Sequence, residues 1–191
     1  MAERDPRKLF PHDRYMRPFV WLMPSWVRPN HLTLSRIILT PFVMWVLYFE
    51  NYALGIPLFV MVAFTDALDG SMARIRKQIT SWGTFYDPFA DKLLIGSVIL
   101  LIVIQHVNPI IAIALILLEA LLILGGWYGR QHGKIRSANI WGKIKMLLQF
   151  FGVLFLLMAL WLGIDLFVEI SNGTLILAVI FAMVSLLTYS L

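Results

Sequence analysis

The sequence predicts an all-α integral membrane protein: a six-transmembrane-helix bundle with a short N-terminal amphipathic juxtamembrane segment. Three observations predict it. Of 191 residues, 60% are hydrophobic and only 14% charged, with a mean hydropathy of +0.79; a soluble domain holds roughly 45–50% apolar residues. The apolar residues fall in six long blocks joined by short connections, each block near the ~20 residues that a membrane helix needs. All the basic residues lie on one side of those blocks. Residues 1–30 therefore form an N-terminal interfacial segment and 31–191 one six-helix membrane domain, with no internal repeat and no Ser/Gly/Pro-rich linker.

Taken in order, the chain opens with mixed charge up to Arg17 and lacks the apolar core and small-residue cleavage site of a signal peptide. Tyr15, Met16, Phe19, Leu22, Met23 and Trp26 then recur at roughly helical spacing among Arg14, Arg17 and Arg28. This predicts a short amphipathic helix at the membrane interface, its length limited by Pro18 and Pro24. The spans follow as Leu32–Phe49, Leu54–Ala73, Gly83–Gln105, Pro109–Tyr128, Lys145–Gly163 and Thr174–Tyr189. There is no cysteine, which removes disulfide and thiolate chemistry.

With six spans, all 16 basic residues lie on the side of the N-terminus, the 74–82 and 129–144 loops and the C-terminus. The opposite loops carry only Glu50, Asp165 and Glu169. The positive-inside rule predicts that the basic face is cytoplasmic, in a multi-pass protein of a bacterial-type cytoplasmic membrane. No nucleic-acid partner is expected.

Four carboxylates stand out against this apolar background. The chain reads Asp66-x-x-Asp69-Gly70-x-x-Ala73-Arg74, eight residues, then Gly83-x-x-x-Asp87-x-x-x-Asp91. Carboxylates within membrane segments are costly and usually mark a site. Twelve apolar residues, Leu54–Thr65, precede Asp66 and cover ~18 Å of a ~30 Å hydrocarbon core, so the acids lie toward the basic face. Asp66 and Asp69 are i, i+3 and share a helix face, whereas Gly83, Asp87 and Asp91 form one i, i+4, i+8 stripe. Gly70, Ala73 and Gly83 leave both stripes without bulk, so that a large group can approach the backbone.

Four clustered carboxylates need compensation in a low-dielectric site, and nearby Arg74 and Lys92 supply at most two positive charges. Oxygen-only donors suit a hard cation, magnesium or manganese. Two divalent cations would balance four aspartates and are a standard device for phosphoryl transfer, with Arg74 at the rim holding a phosphate or diphosphate.

All eight of these spaced positions match the signature of the CDP-alcohol phosphatidyltransferases, and the chain resembles that family. Pro29–Arg36 looks like the start of the family's first span. Asp87–Leu93 is similar to the version in its phosphatidylglycerophosphate and cardiolipin synthases, and Gly142–Lys145 preceding Gln149 looks like the start of their fifth span. The resemblance covers roughly residues 29–150, the last span matching only in hydrophobicity. It implies that Asp66, Asp69 and Asp87 ligate two divalent cations, with Asp91 a shared ligand or the catalytic base. Gly70, Ala73, Arg74 and Gly83 would line the cytidine diphosphate pocket. The implied reaction is attack of an alcohol on the lipid-linked phosphorus of CDP-diacylglycerol, releasing CMP, in a protein expected to form a homodimer among membrane lipids.

The acceptor is expected to be a small phosphorylated alcohol, glycerol 3-phosphate. Arg130, Lys143 and Lys145 flank the spans at the basic face, with Arg36 one turn inside the first, and this surplus suits a dianion. The alternative is phosphatidylglycerol, which would make the enzyme a cardiolipin synthase. Leu118-Glu119 and Met146 replace an Arg-Glu pair and a Thr usual in the glycerol-phosphate branch, and Glu119 is expected to pair with a base from another helix, Arg36 being one candidate. A cation transporter is disfavoured because no polar residue continues the path through the outer halves of spans two and three.

Overall fold

The computed structural model describes residues 13–78, 90, 92–131 and 140–190, without the side chains of 127–131, 189 and 190. These residues form seven helices and no strand: α1 (Asp13–Leu22), α2 (Pro29–Tyr48), α3 (Tyr52–Ile75), α4 (Lys92–His106), α5 (Pro109–Gln131), α6 (Ile140–Leu162) and α7 (Asp165–Ser190). Five of them, α2, α3, α5, α6 and α7, are long and apolar enough to cross a membrane. The described part of the expected third span, α4, is a shorter apolar helix; residues 83–89 and 91 lie outside the described residues.

Contacts divide the chain into two compact units. The first comprises the described residues of Met1–Phe49 and Pro57–Leu94. The α1 helix exists as expected, but its buried face is narrow. Val20 packs against Leu68 and Met72 of α3, with Met23, Val27, Leu32 and Ile75 around them, while Tyr15, Phe19, Trp21, Leu22 and Trp26 remain exposed. Pro29 opens α2, as suits a residue whose missing N–H would have had no helical acceptor. At the other end of this unit, α3 closes in a tight double turn. Gln78 N donates to Ala73 O at 2.9 Å and Lys77 N to Arg74 O at 3.4 Å. Lys77 takes the left-handed conformation, φ 55°, at the position glycine usually fills.

The second unit comprises Glu50–Ile56 and the described residues of Ile95–Leu191. Asn51 caps the start of α3 through Leu54 N, and Asn108 caps α5 through Ile110 N at 2.9 Å. The α4 helix widens into a π-turn over Ile99–Val103, which contacts α5 and α6. The last two helices form a hairpin turned by Gly163, φ +67°. The final helix starts at Asp165, nine residues before the expected Thr174. Its polar first turns are helical because Asp165 suits the N-terminal dipole and because buried Ser171 donates to the Gly152 carbonyl of α6 at 2.7 Å. At Gly152 the helices approach so closely that a Cβ would lie 2.7 Å from Leu175 Cδ2.

Candidate active site

Asp66 and Asp69 lie one turn apart on α3, and both face Arg36 of α2. Arg36 Nη1 donates to Asp66 Oδ1 at 2.5 Å, and its Nη2 donates to Asp69 Oδ2. Thr33, one turn before Arg36, offers its hydroxyl to Asp69 Oδ2 at 3.4 Å. The side chain of Arg36 is fully buried and that of Asp69 is 3% exposed, whereas Asp66 keeps 36% of its surface. A buried guanidinium needs such partners to offset the loss of hydration.

This pairing corrects the charge balance read from sequence. There, only Arg74 and Lys92 stood near the acids; here Arg36 is the cation that meets the first aspartate pair. Arg36 was also expected among the acceptor-binding bases, and the contacts described for it are those to the two aspartates and, from its backbone carbonyl, to Thr40 Oγ1 at 2.8 Å. Gly83, Asp87 and Asp91 lie outside the described residues.

Arg74 occupies the last turn of α3, and its partner is Asp13, the first residue of α1. Nε and Nη2 reach the two carboxylate oxygens of Asp13 at 2.9 and 2.7 Å. Gly70 and half-buried Ala73 are on the same helix. The open space expected over Gly70 is bordered by Arg74 itself, whose Nη1 would stand 3.5 Å from a Cβ placed there. Asp13 and Arg76 were not foreseen. Arg76 donates to four backbone carbonyls, of Val20, Met23, Pro24 and Val27.

In the second unit, Lys145 of α6 donates to Glu119 of α5, the two side chains 4% and 16% exposed. A base from another helix was expected to pair with Glu119, Arg36 being one candidate, and Lys145 is such a base. Lys145 fulfils that role because α5 and α6 belong to the same unit and its flexible stem reaches across, while the Nη groups of Arg36 are taken by aspartates. One turn further along α6, Gln149 is buried, and its Nε2 has no hydrogen-bond partner among the described residues. Lys143 is exposed. Arg130 lies on α5, its side chain outside the described residues.

Residues 26–188 match the model of the CDP-alcohol phosphatidyltransferase family. The chain belongs to this family. The match extends past residue 150, through the two last helices, where the sequence had resembled the family only in hydrophobicity.

Individual relatives carry two names. A CDP-diacylglycerol–glycerol-3-phosphate 3-phosphatidyltransferase of Rickettsia felis is 40% identical over 100 residues, 51% of this chain and 55% of that protein. The Bacillus subtilis protein of the same name is 30% identical over 151 residues, 68% of this chain and 76% of that protein. A probable CMP-forming cardiolipin synthase of Drosophila melanogaster is 34% identical over 101 residues, 52% of this chain and 31% of that protein. With the Bacillus subtilis protein as the fuller match, the chain spans about half or less of the length of the first two curated relatives it matches.

For a CDP-alcohol phosphatidyltransferase, the donor set on α3 fits a hard divalent cation. Asp66 and Asp69 offer only oxygen donors, the kind a hard cation takes. Asp66 is also accessible. Among the described residues no three His, Asp or Glu side chains gather closely enough to hold a metal ion, so a complete ligand set requires acids from outside them.

Proposed function

We propose that this CDP-alcohol phosphatidyltransferase transfers the phosphatidyl group of CDP-diacylglycerol to glycerol 3-phosphate, releasing CMP. The observation that carries the reading is the aspartate pair on α3, two positions of an intact eight-position signature, set beside the buried guanidinium of Arg36 and on the helix that also bears Gly70, Ala73 and Arg74. The names of the Rickettsia felis and Bacillus subtilis relatives support the acceptor.

In this reading Asp66, Asp69 and Asp87 hold two divalent cations, magnesium or manganese, with Asp91 as a further ligand or base. Bound there, the cations would offset the charge of the diphosphate and make its phosphorus more electrophilic. The chain's own residues do the rest. Arg36 fixes the rotamers of Asp66 and Asp69. Gly70, Ala73 and Gly83 allow the nucleotide close to the helix backbones, and Arg74 binds the diphosphate. Asp91 takes the proton of the acceptor hydroxyl as its oxygen forms a bond to the lipid-linked phosphorus. The bond from that phosphorus to the oxygen of CMP breaks, and CMP leaves with the electron pair.

The basic residues at one end of the spans support a cytoplasmic site; six spans and a homodimer are part of the same reading. Arg130 and Lys143 are the acceptor bases, with Lys145 beside them. A second reading takes phosphatidylglycerol as acceptor. It is favoured by the neutralisation of Lys145 by Glu119, which reduces the charge left for a dianion, and by the name of the Drosophila melanogaster relative.

Purified protein supplied with CDP-diacylglycerol, a divalent cation and a panel of glycerol 3-phosphate, phosphatidylglycerol, serine and inositol phosphate separates these readings. Phosphatidylglycerophosphate, identified by mass, is the expected product. Cardiolipin from phosphatidylglycerol, with no product from glycerol 3-phosphate, would establish the second reading. No CMP with any acceptor would defeat both.

A further inference from the structure

Arg74 is held from outside its own helix. The two bonds from Nε and Nη2 to the Asp13 oxygens, 2.9 and 2.7 Å, form a fork, and Nη2 also lies 3.4 Å from Ser71 Oγ. A bidentate pair fixes the plane of the guanidinium as well as its position. The members of the pair differ in access. Asp13 is 2% exposed and Arg74 17%, so an anion arriving from solvent meets the guanidinium and not the carboxylate behind it.

Asp13 is itself placed by α1, and α1 is clamped by Arg76. Nη2 of Arg76 reaches Val20 O at 2.9 Å and Met23 O at 2.6 Å, while Nη1 reaches Val27 O at 2.8 Å and Pro24 O at 3.3 Å. These carbonyls belong to the last turn of α1 and the bend after it, where helical donors run out. The Val20, Leu68 and Met72 contact secures the same segment on its apolar side. One turn at the end of α3 thus supplies both the residue to be positioned, Arg74, and the clamp, Arg76, on the element that positions it.

We propose that Asp13 is a positioning residue of the nucleotide site: through α1 it orients Arg74 toward the diphosphate of CDP-diacylglycerol. The inference rests on the reading of Arg74 as a diphosphate ligand. It makes the N-terminal helix part of the substrate site, in addition to the interfacial role that its amphipathic sequence predicts.

The test uses the full-length protein in mixed micelles, with rates measured against CDP-diacylglycerol concentration and thermal midpoints recorded for every variant. Asp13→Asn keeps the shape and removes the charge. It should raise KM for CDP-diacylglycerol about tenfold, equivalent to ~1.4 kcal/mol, with kcat within about twofold. Asp13→Glu should restore part of the affinity. Arg76→Met should shift KM in the same direction, and serves if Asp13→Asn does not fold. Arg74→Ala reports on the underlying reading. If it raises KM while Asp13→Asn, or Arg76→Met in its place, leaves KM at the wild-type value, Asp13 does not position Arg74. A lower KM in Asp13→Asn would make the carboxylate a competitor of the diphosphate and overturn the proposal. An unchanged KM in Arg74→Ala removes Arg74 from the diphosphate, and the positioning role falls with it.

Discussion

Glu119 on α5 and Lys145 on α6 form an ion pair, both side chains largely withdrawn from solvent. Lys145 belongs to a group of bases whose surplus at the basic face suggested acceptor binding, yet its ammonium already has a counter-charge. Breaking such a pair from one side leaves an uncompensated buried charge, which costs about 3–5 kcal/mol when the pair is fully buried. Lys145→Met should therefore lower the thermal midpoint in detergent markedly. The double variant Lys145→Met with Glu119→Leu should recover most of the loss. If Lys145→Met is as stable as wild type and only the KM for the acceptor rises, the pair has no structural weight and Lys145 is an acceptor base.

Asp66→Asn and Asp69→Asn each remove one charge from the site and should reduce turnover by several orders of magnitude, as expected for ligands in phosphoryl transfer. The two differ in stability. Asp69 is buried against Arg36 and Thr33, so its loss should also destabilise the fold, while Asp66, more exposed, should be replaceable with little thermal penalty. Activity of both variants within tenfold of wild type would remove them from the chemistry.

The place of Asp66 and Asp69 toward one end of a long apolar helix, their shared face and the helical class were legible in the sequence, because periodicity and hydropathy are local properties. The partners were less so. Arg36 and Asp66 are 30 residues apart and Asp13 and Arg74 are 61 apart, and nothing local reports which distant charge fills which gap. An aspartate opening a helix before an aromatic run reads as an N-terminal charge on the helix dipole, not as the anchor of an arginine on α3. The start of the last helix was missed for a different reason. Asp165, Glu169, Ser171 and Asn172 lower the hydropathy over two turns, whereas the helix continues because Ser171 finds a carbonyl acceptor on Gly152.

Gly152 is the tightest point of the α6–α7 hairpin. A Cβ there would lie 2.7 and 2.8 Å from Leu175 Cδ2 and Cγ, inside any permitted contact, so Leu175 or the helix must move. Overpacking of this kind costs about 1–3 kcal/mol. Gly152→Ala should lower the thermal midpoint accordingly. The paired change Leu175→Ala should relieve the clash; if Gly152→Ala alone is neutral, the hairpin is looser than its geometry indicates.

Gly70→Ala isolates the nucleotide pocket from the fold. The added Cβ would meet Arg74 Nη1 at 3.5 Å and Nη2 at 3.8 Å, ordinary van der Waals separations. Alanine also suits a helix interior better than glycine, by roughly 0.5–1 kcal/mol. The variant should therefore fold at least as stably as wild type. If the cytidine diphosphate of the substrate approaches α3 at this position, one methyl group takes the space, and KM for CDP-diacylglycerol should rise at least tenfold while the thermal midpoint holds or increases. Unchanged KM and kcat in a variant of undiminished stability would mean that the substrate does not approach α3 at Gly70.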